Sequence, residues 1–380
     1  MYQIKIYNLI TEVDKECWDT LTRDNIFMCY NWLKTFEVTT TLSVKPYYLM
    51  IFDKDKLVGS SVCYFDKKAK GASIDDLLLG RLRKFKVFRK LSFLPSIICY
   101  PRKGFGTHLL ISEEVNSNQI KIIMNKLIDC VQDIAFLNKA SICFQYVMDH
   151  EIDLMNLLTE RGFYKTISYP LCYIDINWSS FEDYRKYVSL RHPSMKKTIP
   201  REINKNRKAG VVIIKLQNVN DYHQRLIELL TMNHEKYDIN DFTVKTDYFH
   251  LVNEIFGDDA IIYAAAKADK IIGVCVVLRK EQEGYISAIG IDHHYSRGDL
   301  TYFNIMYYEP IYNAIKSGIK RLYYSNALYE VKSRRGCIID NTYLFYKSFN
   351  HTIGKKFRLK TWFRIHKWWM SQKLSYIKKL

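Results

Sequence analysis

Apolar positions along the chain change period several times, and each change predicts an element. Residues 2–9 (YQIKIYNL) predict a strand. Trp18 and Leu21, then Trp32, Leu33 and Phe36, fall at helical spacing and predict helices over 13–23 and 29–37. Pro46–Phe52 and Leu57–Phe65 are apolar runs around the charged turn Asp53–Lys56, which reads as a hairpin. Ile120, Ile123, Leu127, Cys130 and Ile134 recur every three or four residues and predict an amphipathic helix over 117–137. A strand Ser141–Tyr146, a helix Asp153–Arg161 stopped by Gly162, and a strand Leu171–Ile176 follow.

The second half repeats this grammar. Helices at 180–189 and 194–209 lead to strand Val211–Leu216, then to helices at 219–236 and 246–256. A second hairpin joins Ala260–Ala266 to Ile271–Arg279, and a strand at 284–291 follows. The last elements are a helix at 299–317 ended by Gly318, a strand at 320–325 and a helix at 327–335. The two hairpins share a layout of apolar strand, charged turn, two apolar residues, glycine and apolar strand, which points to duplication of an α/β unit. The length of 380 residues suits two such domains.

Composition narrows the function. Apolar residues at 48% and charged residues at 26% describe an ordinary globular chain. The 57 Lys and Arg exceed the 40 Asp and Glu by 17, which favours anionic partners: RNA, a membrane surface, or phosphorylated and nucleotide-linked substrates. Nine cysteines, mostly in apolar runs and with no CxxC pair, predict buried reduced thiols rather than a zinc or disulfide framework. Met1–Lys5 lacks a signal-peptide layout and no stretch approaches 18 uncharged apolar residues, so the expectation is a cytoplasmic protein.

The element order of strand, two helices, antiparallel strands, helix, strand, helix and strand resembles the GNAT acyltransferase fold, here occurring twice. Within the second half, SSFEDYRKYVSLRHPSMKKTIPREINKNRKAGVVI is similar to the opening of the acyltransferase domain in FemABX-like proteins. GIDHHYSRGDL and the segment ending in Tyr329, Lys332 and Gly336 (Tyr-x-x-Lys-x-x-x-Gly) are similar to that group's C-terminal part. The resemblance implies an α/β (α+β) fold of two tandem GNAT-like domains, each a mixed central sheet flanked by helices. It places an N-terminal domain at 1–170, on the structural or acceptor side, a catalytic domain at 171–350, and a basic aromatic tail at 351–380. It further implies an aminoacyl or acyl transferase acting on an amine of a cell-wall precursor or a small metabolite. Aminoacyl-tRNA is the favoured donor and an acyl thioester, on CoA or a carrier protein, the alternative. Either donor would be a co-substrate, with no tightly bound cofactor and no metal. The remaining reading is a non-catalytic protein that holds RNA or lipid on a degenerate GNAT scaffold.

Acyl transfer to an amine needs a deprotonated amine and donor groups aimed at the developing oxyanion. The resemblance puts Lys332 in the acceptor and reaction site, with Tyr329 one turn earlier on the same helix face. Asp292, His293 and His294 sit at a strand end, where one histidine could deprotonate the acceptor. On an extended segment only one of the two would face a cleft. Gly290, late in its strand, would permit a bulge or close approach of the donor. The following Tyr295-Ser296-Arg297 loop carries one glycine and Asp299, a poor pyrophosphate cradle, which disfavours free CoA. Asp299 reads better as a helix cap. Arg334 and Arg335, next to Lys332, are expected to contact an anionic substrate.

Three segments are basic. Residues 191–210 include Lys205 and Arg207 among seven cations and hold one acid, Glu202; six cations lie in 81–90 with no acid. These two lean to an anionic substrate groove. In 347–380 ten cations and no acid are interleaved with Phe357, Trp362, Phe363, Trp368 and Trp369. That mixture suits phosphates and stacked bases, or an anionic lipid surface. The aromatic density leans to peripheral contact with the inner face of the membrane.

Overall fold

The computed structural model describes residues 2–22, 25–39, 44–67, 78, 92–106, 108–236, 247–324 and 326–349. The basic segment 81–90 and the tail 351–380 lie outside the described residues. The described chain divides into two compact units, one of residues 2–37, 44–170 and 340–349, the other of residues 171–339 with Val38 and Thr39.

The first unit holds β1 (Tyr2–Tyr7), β2 (Val44–Asp53), β3 (Lys56–Asp66), β4 (Ser96–Cys99), β5 (Leu109–Ile111), β6 (Ser141–Met148), β7 (Tyr164–Ile167) and, from the far end of the chain, β15 (Thr342–Lys347). Its sheet runs β1-β2-β3-β4-β6-β15-β7, with β5 also paired to β3. β4 and β6 are parallel, whereas β15 is antiparallel to both β6 and β7. The helix Ser117–Leu137 packs Ile123, Leu127 and Val131 on this sheet, all three fully buried. It starts where it does because Asn116 and Gln119 cap each other's backbone N–H groups at 3.0 and 2.9 Å.

The second unit holds β8 (Leu171–Asp175), β9 (Val211–Lys215), β10 (Ala260–Lys267), β11 (Lys270–Lys280), β12 (Glu283–Ile291), β13 (Arg321–Tyr323) and β14 (Ile338–Asp340). Its sheet runs β14-β8-β13-β12-β11-β10-β9, with β12 and β13 parallel. Helices Phe181–Arg191, Met195–Lys208, His223–Lys236, Tyr248–Phe256 and Tyr329–Ser333 flank it. A further helix runs from Thr301 through a π-helical turn at Asn304–Tyr308 to Ser317. Such turns recur at functional sites.

Position by position, the seven-strand orders of the two units correspond. Each takes its sixth strand from outside its own run of sequential strands: β15 in the first sheet, β8 in the second. The hairpins match in detail. Lys54 and Ala268, the first turn residues, are both left-handed, with φ of 56° and 50°. In both, a register shift leaves one extra residue, Val58 or Ile272, just before the shared glycine, Gly59 or Gly273. Duplication explains a shared bulge far better than two chance hairpins.

The hydrophobic pattern located most helices and both hairpins to within a few residues. It passed over β4, β5, β7, β14 and β15, all six residues or shorter. β15 also alters the expected division at 350, since Thr342–Lys347 pairs within the first sheet. All nine cysteines are free thiols, eight of them buried. Among the described residues no helix is long and apolar enough to cross a membrane, and no group of three His, Cys, Asp or Glu comes together to hold a metal ion.

Candidate active site

The centre of the second sheet is open along one strand. β12 pairs with β13 only at Glu283–Tyr285, and β13 ends at Tyr323. Beyond that point, among the described residues, β12 pairs on its β11 side alone. Val276 faces Ala288 while Val277 faces Ile286, so Ser287 is an extra, bulged residue. Ser287, Ala288 and Ile289 are half-exposed, between buried residues at both ends of the strand. Successive residues on a strand face opposite sides of a sheet. Three exposed in a row therefore mark a free strand edge. Its unpaired backbone N–H and C=O groups can bond an extended ligand chain.

Both diverging strands run into strained backbone. Leu300, at the start of the helix after β12, has φ 65°, and Ala327 and Leu328, before the helix after β13, have φ 91° and 50°. Positive φ on such side chains costs energy and clusters at functional sites.

Gly290 does not serve the bulge or a ligand. A Cβ there would lie 2.5 Å from the carbonyl carbon of Leu229 and 2.8 Å from the amide of Leu230. The His223–Lys236 helix packs its backbone directly on this glycine. The bulge falls at Ser287 instead.

The segment after β12 is a compact turn rather than the extended strand end expected. Asp292 is buried, pairs with the Arg225 guanidinium, and accepts from the amides of His294 and Tyr295 at 3.1 and 3.2 Å. Burial opposes its ionisation, but Arg225 and the two amides hold its carboxyl below the usual range. It shapes the turn and orients no histidine. His293 and His294 are both exposed, so the alternation argument fails there. Although its side chain reaches solvent, partial desolvation and then the Lys236 charge lower the His293 pKa, against an opposing pull from Asp292. Tyr295 is exposed with the Lys270 ammonium 3.7 Å over its ring. The Ser296 amide donates to the Asp292 carbonyl at 2.9 Å, and Arg297 is exposed. Asp299 is buried and accepts from Thr301 through its amide at 3.0 Å and its hydroxyl at 2.6 Å, but the N-cap position itself falls one residue later, on Leu300.

Lys332 is not the solvated helix lysine its neighbours suggest. It is 3% exposed and its Nζ donates to the carbonyl of Tyr324, the first residue past β13. Burial lowers its pKa, with Cys172 and Cys337 nearby acting in the opposite direction. Tyr324 and Tyr307 stack at 5.0 Å between ring centroids, and the buried Tyr324 hydroxyl has no hydrogen-bond partner among the described residues. Tyr329 is half-buried against the same core.

Arg335 is also withdrawn from solvent, at 4% exposure. Its Nη2 bonds both carboxylate oxygens of Glu202 at 2.9 and 2.8 Å, and its guanidinium lies 3.9 Å over the Phe303 ring. Tyr308 donates its hydroxyl to the same carboxylate. Arg335 therefore clamps three helices together and is not a substrate contact. Sequence spacing hid this, because Glu202 lies 133 residues away. Arg334 stays half-exposed, donating to Ser194 Oγ at 3.1 Å. Lys205 and Arg207 are exposed on the Met195–Lys208 helix.

The first unit contains a buried polar pair that the sequence reading missed. His108, 1% exposed, places Nδ1 2.9 Å from Glu151 Oε1 and Nε2 2.6 Å from the Gln145 carbonyl. Both partners are acceptors, so both ring nitrogens carry protons. Desolvation works against that charge, but Glu151 and the Gln145 carbonyl raise the His108 pKa overall. The signal in sequence was only a lone histidine and a glutamate 43 residues apart.

A duplicated mixed sheet, a central bulged strand diverging from a parallel neighbour, and a helix after each diverging strand define a tandem GNAT-type acyltransferase fold. The chain belongs to the FemAB-like family, described as peptidoglycan biosynthesis/recognition, whose model matches residues 9–372. Among solved structures it is similar to FemX, with 11% identity, TM-score 0.57, and coverage of 90% of this chain and 97% of that one. A tandem GNAT protein from the clavulanic acid biosynthesis pathway matches with 10% identity, TM-score 0.50, and coverage of 93% and 100%. The C-terminal domain of a putative lysylphosphatidylglycerol synthetase from Agrobacterium fabrum matches with 11% identity, TM-score 0.56, and coverage of 90% and 93%. No curated protein matches the sequence. Family and fold together make the chain a transferase of the acyl or aminoacyl kind.

Proposed function

We propose that the protein transfers an aminoacyl group from aminoacyl-tRNA to a primary amine of a cell-wall precursor or small metabolite. The free edge of β12 at Ser287–Ile289 carries this reading. A donor chain laid along that edge would bond the unpaired backbone and present its carbonyl at the gap between β12 and β13. Lys332, bonded at the end of β13, supplies the positive charge there. A desolvated ammonium favours the negative tetrahedral oxygen more strongly than a solvated one does. The C–N bond forms as the ester C–O bond breaks, and the proton that the amine loses ends on the departing tRNA oxygen, which leaves as its free hydroxyl. The donor arrives as a co-substrate.

The turn at Asp292–Asp299 favours tRNA over free CoA. Its two acids are buried and engaged, and it offers no glycine-rich run of amides for a pyrophosphate. An acyl thioester on a carrier protein is the second reading, because it needs the β12 edge but not that cradle.

The test supplies a pool of radiolabelled aminoacyl-tRNAs with an amine-bearing cell-wall precursor, with and without RNase. Turnover abolished by RNase supports the tRNA donor, whereas RNase-resistant turnover with acyl thioesters refutes it. Lys332→Arg keeps the charge but changes its shape. With the fold checked by circular dichroism, it should lower turnover at least tenfold. Unchanged turnover would remove Lys332 from the reaction.

A further inference from the structure

The Met195–Lys208 helix carries an arrangement that its own stability does not explain. Its inner face is Met195, Ile199, Glu202 and Asn206, all buried. Its outer face exposes Lys196, Lys197, Arg201, Lys205, Arg207 and Lys208. The one acid on the helix, Glu202, is turned inward and neutralised by Arg335. Among the described residues none of the six cations has a carboxylate partner within 4.0 Å.

Lys205, Arg207 and Lys208, in the last turn, complement the helix dipole. Lys196 and Lys197 sit in the first turn, where the dipole disfavours cations and where no acid is present. Lys197, Arg201 and Lys205 follow at four-residue steps and Lys208 at three more, so like charges face each other down one stripe. Each such pair costs about 0.2–0.5 kcal/mol in an isolated helix. The stripe is about 16 Å long at 1.5 Å per residue. A bound polyanion converts this repulsion into attraction.

We infer that this helix is the surface on which the protein holds the phosphate backbone of RNA. The inference rests on the tRNA-donor reading, since it gives that donor its docking face. The chemistry favours RNA over a bilayer. A helix lying on lipid presents apolar side chains outward. None of the large hydrophobic residues exposed on the described surface falls within 195–208. A cationic face without apolar residues matches a row of phosphates.

The test measures binding of a fluorescently labelled RNA acceptor-stem hairpin to the full-length protein by anisotropy, across a KCl series. The variant is Lys197→Gln/Arg201→Gln/Lys205→Gln. All three side chains are exposed, so its thermal melt should match or exceed that of the parent. Each lost phosphate contact flattens the slope of log K against log salt by about 0.7–0.9. The variant should therefore bind at least about tenfold more weakly at 0.1 M salt, with a slope shallower by about 2. Parallel measurements use vesicles of phosphatidylcholine with phosphatidylglycerol.

Unchanged RNA affinity in the variant overturns the inference and leaves the donor reading standing. Failure of the parent protein to bind the hairpin at 50 mM salt also overturns the inference. Loss of vesicle binding with RNA binding intact assigns the helix to lipid and overturns it too. A weakened variant whose parent shows RNase-resistant turnover sustains the RNA surface and overturns the tRNA donor instead.

Discussion

The Arg335–Glu202 pair gives the sharpest test of how the second unit is held together. Both side chains are 5% exposed, and one Nη2 serves both carboxylate oxygens. Arg335→Met keeps most of the side-chain volume but leaves a carboxylate buried without its counter-charge. Breaking a buried pair from one side costs about 3–5 kcal/mol. The stack on Phe303 and the bond from Nη1 to the Val331 carbonyl at 3.1 Å are lost with it. At about 2–4 °C per kcal/mol for a unit of this size, the melting temperature should fall on the order of 10 °C. The double variant Glu202→Met/Arg335→Met removes both charges. It should recover much of the loss, because an apolar replacement of a buried pair is often neutral. Thermal melts followed by circular dichroism would read all three proteins. A single variant that melts with the parent and only weakens substrate binding would refute the buried clamp. Arg335 would then return to the substrate-facing role suggested by its place beside Arg334.

Other outcomes follow from single sites. The His108–Glu151 pair should make stability bell-shaped in pH. His108 has a raised pKa, so its contribution is complete below its ordinary 6.5 and is lost as pH rises through the raised value. Glu151 has a lowered pKa despite its burial, so its contribution is complete above its ordinary 4.5 and is lost as pH falls through the lowered value. His108→Gln should flatten the alkaline limb of a urea-midpoint profile, and identical profiles would contradict the assignment. Tyr324→Phe removes a buried hydroxyl that has no partner among the described residues, so the melting temperature should stay level or rise. A clear drop would show that the hydroxyl is satisfied. Gly290→Ala puts a methyl group into the backbone of Leu229 and should cost about 1–3 kcal/mol, measurable by urea unfolding. A neutral result would mean that the helix can move off β12.

What the sequence made legible follows from the range of each signal. Period and turn chemistry are local, so the Ser117–Leu137 helix and both hairpins could be read directly. The duplication was also visible, because the hairpins repeat a layout over a score of residues. Burial of a charge is not local. Lys332 and Arg335 sit in a run of basic residues that reads as a solvated surface. Their burial depends on a carbonyl eight residues away and a carboxylate 133 residues away. Asp292 stood among the catalytic candidates because it adjoins the two histidines, whereas its partner is a cation, Arg225, on a helix 67 residues distant. Gly290 was read as room for a ligand, and the space is filled by a helix backbone that no spacing rule locates.

The short strands were illegible for a related reason, and they settle how the two halves are built. β15 has no partner near it in sequence. It is a strand because β6 and β7 offer it two rows of backbone groups in the first sheet. β8 likewise bonds β13 and β14 in the second sheet, although it follows β7 in the chain. β7 has β15 as its neighbour in the sheet order, so the last strand of the first sheet is held by residues near position 345. Pairing across so long a stretch carries a loop-closure cost that local hairpins avoid. That cost is offset only when the rest of the sheet already exists to receive the strand. The first unit is therefore not a contiguous domain, because its sheet is completed by β15 from beyond the second. Each sheet has five sequential strands and an edge; the gap between them is filled in the second sheet by β8, from the start of its own unit, and in the first by β15, from the far end of the chain. A transferase built this way keeps the divergence of β12 and β13 fixed in place. β13 is held between β12 and β8, and Tyr324, which carries the Lys332 contact, donates its amide to the carbonyl of Cys172 on β8 at 2.8 Å.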